Sequence, residues 1–228
     1  MKKSFKIFSA LILSSTMAFG LGATIFATTS KPTKVSKAAE TDYYSSITSS
    51  MSGTSLLSAL RTLNNQKRNK TMGYDGMRNY FQYTDTASSA NGKVVGFYNN
   101  ALVGPAWDSG STWNREHVWP KSRNGSAIEA DMHMVRPTAT TINSQRGNKF
   151  YGTESGTYDP GQYIAEYRGI AARIIFYCAV ADSSLSLVDL TDDSTSNGTM
   201  GKLSTLLQWN LEYAPNTSSS ASLAYQVE

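Results

Sequence analysis

The chain of 228 residues is long enough for one folded domain, and 40% of its residues are hydrophobic, which excludes an intrinsically disordered chain. Its formal charge of +4 does not by itself indicate a nucleic-acid-binding protein. Six lysines within residues 1–39, a stretch without acids, account for this excess, and without them 15 basic residues stand against 17 acidic ones. The positive charge is local instead, because residues 115–149 hold six Lys or Arg against three acids.

The N-terminal residues are typical of an export signal. Three lysines among the first six residues precede an uncharged stretch over residues 7–27. We predict a signal peptide over 1–27, with cleavage as late as residue 39 as an alternative, and a linker over 28–42. An uncleaved membrane anchor is the competing interpretation, since the apolar stretch is close to spanning length. In both cases the domain predicted over 43–228 lies outside the cell.

The first elements after the linker are predicted to be two helices and a hairpin. The leucines of Ser55–Leu63 form an apolar stripe with helical spacing. Thr71–Tyr83 predicts a second helix, and three of its side chains are expected to face inward: Met77, Tyr80 and Phe81. Val94–Val103 predicts a strand or hairpin with Asn99-Asn100 at the turn.

The central part of the chain predicts two strands followed by a short helix. Trp113–Trp119 has the composition of a strand, whose end is marked by Pro120. Asp131–Val135 predicts a second short strand, which Pro137 is expected to stop. Thr138–Gly147 then predicts a helix capped by a threonine.

The last two helices are predicted from apolar spacing over Ile164–Ala181, the strongest helical pattern in the chain, and over Met200–Tyr213. Helices mixed irregularly with short strands predict an α+β fold. The single cysteine, Cys178, lies in an apolar run. We therefore expect a buried, unreactive thiol, and stabilisation by packing rather than by an intrachain disulfide.

The side chains suited to catalysis are concentrated in the segment Trp113–Asn148. It contains both histidines of the chain, His117 and His133. Other polar side chains of interest share it: Glu116, Glu129, Asp131, Asn143, Arg146 and Asn148. Because neighbouring residues of a strand point to opposite faces, Glu116 and His117 reach one site only where the strand ends, bulges or twists.

These residue types suit the hydrolysis of a phosphodiester. A neutral histidine takes a proton from the attacking water near pH 7. A hard divalent cation neutralises the developing charge, and it prefers oxygen ligands such as a Glu carboxylate and an Asn carbonyl. Arginines close to such a site bind the phosphate oxygens.

Three blocks of this segment resemble the bacterial endonuclease I family of secreted nonspecific nucleases. They are Trp113–Ser122, Glu129–His133 with Arg136–Pro137, and Ile142–Asn148. Three blocks in the family's order and spacing are much more specific than any one of them. A weaker resemblance extends over about residues 50–213.

The resemblance implies a ββα-metal (His-Me finger) core in which His117 is the general base. It implies that Glu116 and Asn143 bind one Mg²⁺, with Ca²⁺ or Mn²⁺ as alternatives, and that Arg146 binds or orients phosphate. The implied substrates are DNA and RNA, cut with little sequence preference to leave 5′-phosphate ends. A stable protein partner is not expected, and membrane contact is expected only through an uncleaved leader.

Five further residues are supporting candidates for contacting substrate or orienting the site: Arg115, Glu129, Asp131, His133 and Asn148. We favour an orienting role for His133, with Asp131 as its partner or as the partner of a backbone amide. Glu129 either orients the site or forms a structural ion pair. Four aromatic residues are candidates for stacking on bases, with core packing favoured for the first two: Trp113, Trp119, Tyr98 and Trp107.

Two other functions remain open on the residues alone. A zinc hydrolase is disfavoured, because it needs three N, S or carboxylate ligands and the chain has only two histidines and no His-Glu-x-x-His motif. A nonenzymatic module that binds nucleic acid or glycans is disfavoured because binding alone requires no general base. Its one favourable feature is a C-terminal tail, residues 214–228, that departs from the Arg/Asn-rich segment usual in the family. The chain also lacks the disulfides common among relatives.

Overall fold

A computed structural model describes residues 43–68, 72–86, 92–104, 106–190 and 198–215. The predicted signal peptide and linker, and all but two residues of the predicted tail, lie outside these described residues. The described residues fall into two compact units, one ending at Arg68 and one beginning after it. Each unit is described by itself, and a single domain over 43–228 stays a prediction.

The first unit contains helix α1, Gly53–Lys67. This confirms the predicted helix and extends it at both ends. Ser55 Oγ accepts a hydrogen bond from the backbone N–H of Ser52 (3.3 Å), one of the groups that the start of a helix leaves unpaired. Leu56 and Leu63 are buried, as expected for residues on one apolar face.

The second unit opens with short helical pieces rather than the single helix predicted over 71–83. Helix α2 spans Gly73–Gly76, a 3₁₀ turn spans Met77–Asn79, and helix α3 spans Phe81–Thr84. Glycine lowers the stability of a helix interior, and α2 begins and ends at one. Because the helix is interrupted at Tyr80, that side chain is 47% exposed, and its predicted inward orientation is wrong.

The predicted hairpin is confirmed. Strand β1, Val94–Val95, pairs antiparallel with strand β2, Leu102–Val103. Tyr98 and Asn100, in the turn between them, have positive φ angles of 79° and 56°. An asparagine adopts this left-handed conformation readily, whereas a bulky aromatic residue does so rarely.

Strand β3, Trp113–His117, pairs antiparallel with strand β4, Val135–Ala139. The strand predicted over Asp131–Val135 is wrong at both ends, because β4 begins at Val135 and continues through Pro137, which lies opposite Arg115. The carbonyl of Pro137 accepts a hydrogen bond from the N–H of Phe97 (2.7 Å) and so points away from β3. The N and C=O of a strand residue face the same side, so the N–H that proline lacks is not needed by the β3 ladder.

Helix α4, Thr140–Arg146, follows β4 directly. The predicted helix at this position is confirmed, but its start is two residues later than Thr138, which belongs to β4. The predicted threonine cap is wrong: the residue before the helix is Ala139, which makes no side-chain capping bond. The side chain of Thr138 instead donates to the carbonyl of Phe97 (3.0 Å).

Helices α5, Tyr167–Ala181, and α6, Leu203–Glu212, confirm the last two predicted helices within a few residues. Between them, strand β5, Ser186–Leu187, pairs parallel with strand β6, Thr199–Met200. Small two-stranded sheets among helices make this an α+β fold. Among the described residues, no helix has the length and apolarity needed to span a bilayer.

The core confirms several predictions made for single residues. Trp113 and Trp119 are fully buried, and Trp209 is 5% exposed. Cys178 is a buried free thiol on α5. Burial raises the pKa of this thiol well above its ordinary value, which keeps it protonated and unreactive.

Candidate active site

One face of β3 is turned toward α4. It carries Asn114 and Glu116, which are two residues apart and therefore lie on the same side of the strand. Asn143 of α4 donates from Nδ2 to Asn114 Oδ1 (2.7 Å), and Arg146 Nε lies 3.2 Å from Glu116 Oε1. The structure thus brings together both predicted metal ligands and Arg146.

The opposite face of β3 carries Arg115 and His117. The guanidinium carbon of Arg115 lies 3.6 Å from the ring centroid of Tyr74, and the His117 ring lies 5.3 Å from the same centroid. The pairing of β3 with β4 is regular up to His117. Glu116 and His117 therefore leave opposite faces of the strand at its last two residues, where the paired strand ends, so a phosphodiester that contacts both must lie across this end of β3.

Glu116 is held in a buried, hydrogen-bonded group of side chains. Tyr98 donates to Glu116 Oε1 (2.7 Å), and the hydroxyls of Tyr98 and Tyr151 are 2.6 Å apart. Arg146 completes this group, since its guanidinium carbon lies 4.9 Å from the ring centroid of Tyr151 and its Nε lies 3.2 Å from Glu116 Oε1. Such a network orients all its members together, and an unpaired member would be costly in this buried position.

Burial raises the pKa of Glu116 to about 7, against the opposing effects of Arg146 and Tyr98. Removing a carboxylate from water disfavours its charged form, while a neighbouring cation and a donated hydrogen bond favour it. Without Arg146 and Tyr98 the pKa of Glu116 would be higher still, so both partners favour its ionised form.

Arg146 is 1% exposed, and its two terminal nitrogens donate hydrogen bonds whereas its Nε makes only an ionic contact. Nη2 donates to the carbonyl of Val118 (2.7 Å) and Nη1 to that of Gly147 (2.8 Å), while Nε contacts Glu116. This geometry favours a role in holding Glu116 and the end of β3 over the phosphate contact that the sequence predicts.

His117 is a neutral imidazole with one nitrogen left for chemistry. Its ring forms a hydrogen bond to the backbone of Arg115, and Nε2 has no hydrogen-bond partner among the described residues, so the bond belongs to Nδ1. Burial lowers the pKa of His117 to about 4, and nearby Glu129 only partly offsets this. A donating Nδ1 leaves the lone pair on Nε2, the atom that accepts a proton.

Glu129 borders this nitrogen. Its Oε2 lies 3.9 Å from His117 Nε2 and 2.8 Å from Lys121 Nζ. Glu129 was predicted either to orient the site or to form an ion pair. The same oxygen, Oε2, lies next to His117 and pairs with Lys121. Lys121 has a side chain that is 57% exposed, so it presents positive charge to solvent beside His117.

Arg115 belongs to a stack of cations and aromatic rings next to His117. Its Nη1 donates to the carbonyl of Tyr74 (2.6 Å), and its guanidinium carbon also lies 5.1 Å from the ring centroid of Trp107. Arg78 approaches the same Trp107 ring at 5.7 Å. Cation–π contacts of this kind hold both arginines against the aromatic rings.

Asp131, His133 and Tyr177 form a separate group. Asp131 Oδ1 accepts from the backbone N–H of His133 (2.9 Å) and lies 3.1 Å from its Nδ1, while Tyr177 donates to Oδ2 (2.6 Å). Burial would raise the pKa of Asp131, but the hydrogen bonds from His133 and Tyr177 outweigh it and hold the pKa below its ordinary value. The predicted pairing of Asp131 with His133 and a backbone amide is what the structure shows.

Asp131→Asn is expected to lower the free energy of unfolding by about 1–3 kcal/mol at neutral pH, because the amide cannot accept all three hydrogen bonds. A carboxyl whose pKa is lowered by folding adds stability above its ordinary pKa, which is 3.8, and this stability is lost as the pH falls through the folded value. Urea unfolding between about pH 3 and pH 7 should therefore show the two proteins converging at acid pH. A constant difference over that range would exclude an ionised Asp131 as the cause.

Asn143 and Glu116 supply two oxygen atoms suited to a hard cation. The bond to Asn114 uses the amide nitrogen of Asn143, which leaves its carbonyl oxygen available. The contacts of Glu116 use Oε1, which leaves Oε2. Asn148 is exposed, and it contacts Arg123 through its backbone, whose carbonyl accepts a hydrogen bond from Arg123 Nε (2.9 Å).

Three residues of the candidate site were not assigned to it from the sequence. Asn114 could have been found from its two-residue spacing to Glu116, which places both on one strand face. Tyr98 is a buried partner of Glu116 rather than a surface for stacking bases. Tyr74 lies 43 positions before His117, and nothing local in the sequence connects the two.

A neutral histidine, two oxygen atoms suited to a cation and neighbouring cationic side chains are compatible with the hydrolysis of a phosphodiester. The chain belongs to the endonuclease I family, whose sequence profile matches residues 41–163. It is therefore a nuclease.

Two relatives are similar to the chain over most of its length. The chain is 33% identical over 210 residues to an extracellular ribonuclease of Bacillus amyloliquefaciens, covering 83% of this chain and 72% of that protein. It is 30% identical over 194 residues to an extracellular ribonuclease of Bacillus subtilis (strain 168), covering 75% of this chain and 66% of that protein. No solved structure matches the chain.

Proposed function

We propose that the protein is a secreted, Mg²⁺-dependent endonuclease that hydrolyses RNA and DNA with little sequence preference and leaves 5′-phosphate ends. The observation that carries this proposal is His117: a buried, neutral imidazole whose Nδ1 is fixed and whose Nε2 has no partner in the described structure. A buried ring nitrogen without a hydrogen-bond partner lowers the stability of the folded state. A functional role explains why it is kept.

His117 acts as the general base. With Nδ1 bonded to the backbone of Arg115, Nε2 takes the proton of the attacking water, and Glu129 stabilises the imidazolium that results. Burial keeps the ring neutral before the reaction, so it is in the form that accepts a proton. Glu129 Oε2 lies 3.9 Å from Nε2 and the Tyr74 ring lies beside the His117 ring, so the substrate must displace part of this cover as it binds.

Glu116 and Asn143 would hold the cation, through Oε2 and Oδ1. In the described parts of the chain, no group of three or more His, Cys, Asp or Glu side chains could bind a metal ion. Two protein oxygens suit Mg²⁺, which retains several water ligands, and Ca²⁺ or Mn²⁺ are alternatives. When bound, the cation would stabilise negative charge on the phosphate and the leaving oxygen.

Lys121 and the Arg115 stack provide the positive surface for the phosphates around the cleaved bond. Lys121 is the most exposed of these cations, and its Nζ lies 2.8 Å from Glu129 Oε2. Arg146 holds Glu116 instead. The order of β3, β4 and α4, with the base at the end of β3 and Asn143 on α4, supports a ββα-metal core.

Secretion is supported by the predicted signal peptide and by the two relatives, which are named as extracellular. Their names also give RNA as the substrate of those proteins. His117 and a cation require only a phosphodiester and a water molecule, so the proposed mechanism extends to DNA.

The purified domain is expected to degrade both plasmid DNA and RNA with Mg²⁺ and to stop when EDTA is added. RNA with 2′-O-methyl groups should be cut as well as unmodified RNA, with 5′-phosphate ends, because water rather than the 2′-hydroxyl attacks. End-group analysis by mass spectrometry distinguishes attack by water from attack by the 2′-hydroxyl. Rapid cutting in excess EDTA would exclude the metal, and resistance of the methylated RNA would exclude water as the nucleophile.

A further inference from the structure

Tyr98 adopts a backbone conformation that its residue type disfavours. Its φ of 79° lies in the left-handed region, where a bulky aromatic side chain is strained. Asn100, two residues on, also has a positive φ but belongs to a residue type that tolerates it. Strain of this kind persists only where the surrounding structure holds the residue in place, so the Tyr98 side chain must make contacts that offset it.

The side chain is fixed by its surroundings on the ring and at the hydroxyl. The ring is fully buried, with centroids of Phe97 at 4.5 Å, Tyr158 at 5.2 Å and Tyr167 at 6.2 Å. The hydroxyl lies 2.7 Å from Glu116 Oε1 and 2.6 Å from the Tyr151 hydroxyl. A ring held on several sides cannot swing its hydroxyl away from Glu116.

The direction of the hydrogen bonds follows from counting protons. A tyrosine hydroxyl has a single proton to donate. Tyr98 gives its proton to Glu116 Oε1, so Tyr151 is the donor between the two hydroxyls. The Tyr151 hydroxyl also lies 3.4 Å from the carbonyl of Val118, but the 2.6 Å contact with Tyr98 is much shorter, so the Tyr151 proton is assigned to Tyr98. Both bonds thus favour a carboxylate whose Oε1 is satisfied.

We infer that Tyr98 is a positioning residue for the metal site: it fixes Glu116 Oε1 and so leaves Oε2 as the oxygen that binds the cation. This inference rests on the proposed role of Glu116 as a metal ligand. Partners that orient a ligand in this way commonly change metal affinity about 10–100-fold when removed. Tyr98 touches neither substrate nor the reacting atoms, so its effect should lie in metal binding rather than in the chemical step.

Tyr98→Phe tests this inference because it keeps the ring and removes only the hydroxyl. The matched control is Tyr167→Phe, which removes a buried hydroxyl from the same aromatic cluster, one that donates to Asn100 Oδ1 rather than to Glu116. Mn²⁺ affinity is measured by isothermal titration calorimetry, and the Mg²⁺ concentration for half-maximal cleavage by initial rates. Tyr98→Phe should weaken metal binding about tenfold or more and regain most of its rate at saturating Mg²⁺, whereas Tyr167→Phe should stay within about twofold of the wild type.

Glu116→Gln separates this inference from the proposed function. Loss of Mn²⁺ binding in Glu116→Gln together with unchanged binding in Tyr98→Phe would overturn the role of Tyr98 alone. Unchanged binding in Glu116→Gln would remove Glu116 as a ligand and the role of Tyr98 with it. If Tyr98→Phe does not fold, Tyr151→Phe replaces it, since that variant removes the donor that orients the Tyr98 hydroxyl. It should weaken Mn²⁺ binding severalfold, and wild-type affinity would overturn the inference.

Discussion

His117→Ala is expected to reduce the rate of cleavage by about 10²–10⁴-fold, the usual contribution of a general base. The loss should fall on the chemical step, because the backbone of β3 and the cation-binding residues on its other face are unchanged. Initial rates on a fluorescent oligonucleotide, with and without added imidazole, measure the effect. Imidazole is expected to restore part of the rate, since it can take the place of the missing ring.

The other histidine provides the matched control. His133 pairs with Asp131 and stacks on Tyr177, and its side chain is 57% exposed. His133→Ala should therefore change the rate far less than His117→Ala, and binding of a short DNA, followed by fluorescence anisotropy, should be similar in both variants. Equal losses in the two variants, or a His117→Ala rate close to that of the wild type, would remove His117 as the base.

The strands and the helix that carry the candidate site could largely be predicted from the sequence because they are close along the chain. A hairpin followed directly by a helix brings residues 113–117 and 140–146 together, and the segment chosen from residue types contains all of them. The long helix over Tyr167–Ala181 was predicted for a similar reason, since a strong local apolar pattern needs no distant contact to form.

Side-chain orientation and long-range contacts were much harder to predict. Arg146 has the sequence position of a phosphate-binding residue, but the end of α4 turns it inward onto Glu116. Tyr74 reaches His117 from a short helix with no pattern that relates the two. Pro137 stays within β4 because its missing N–H faces away from the paired strand, which depends on register rather than composition.

Arg146→Ala is expected to destabilise the protein by about 3–5 kcal/mol, the usual cost of breaking a buried ion pair by removing one partner. The variant leaves Glu116 buried without its cation, and it also leaves the carbonyls of Val118 and Gly147 without their donors. A loss of this size is a large share of the stability of a typical domain, about 5–15 kcal/mol. Urea unfolding followed by circular dichroism gives the free energy of unfolding.

The buried pair between Arg136 and Asp85 is the comparison, because it has nearly the same separation (3.3 Å) and Arg136, although it lies opposite Glu116 across the β3–β4 pair, forms its ion pair with Asp85. Arg136→Ala should also destabilise, yet the folded protein should keep its Mn²⁺ affinity, whereas Arg146→Ala should lose stability and affinity together. Arg146→Lys keeps the charge but not the planar set of donors, so an intermediate loss is expected. The free energy of unfolding of Arg146→Ala could instead lie within about 1 kcal/mol of the wild type, with only cleavage lost. That result would show that Arg146 does not hold Glu116 in place. The role in phosphate binding implied by the sequence would then be the better account of Arg146.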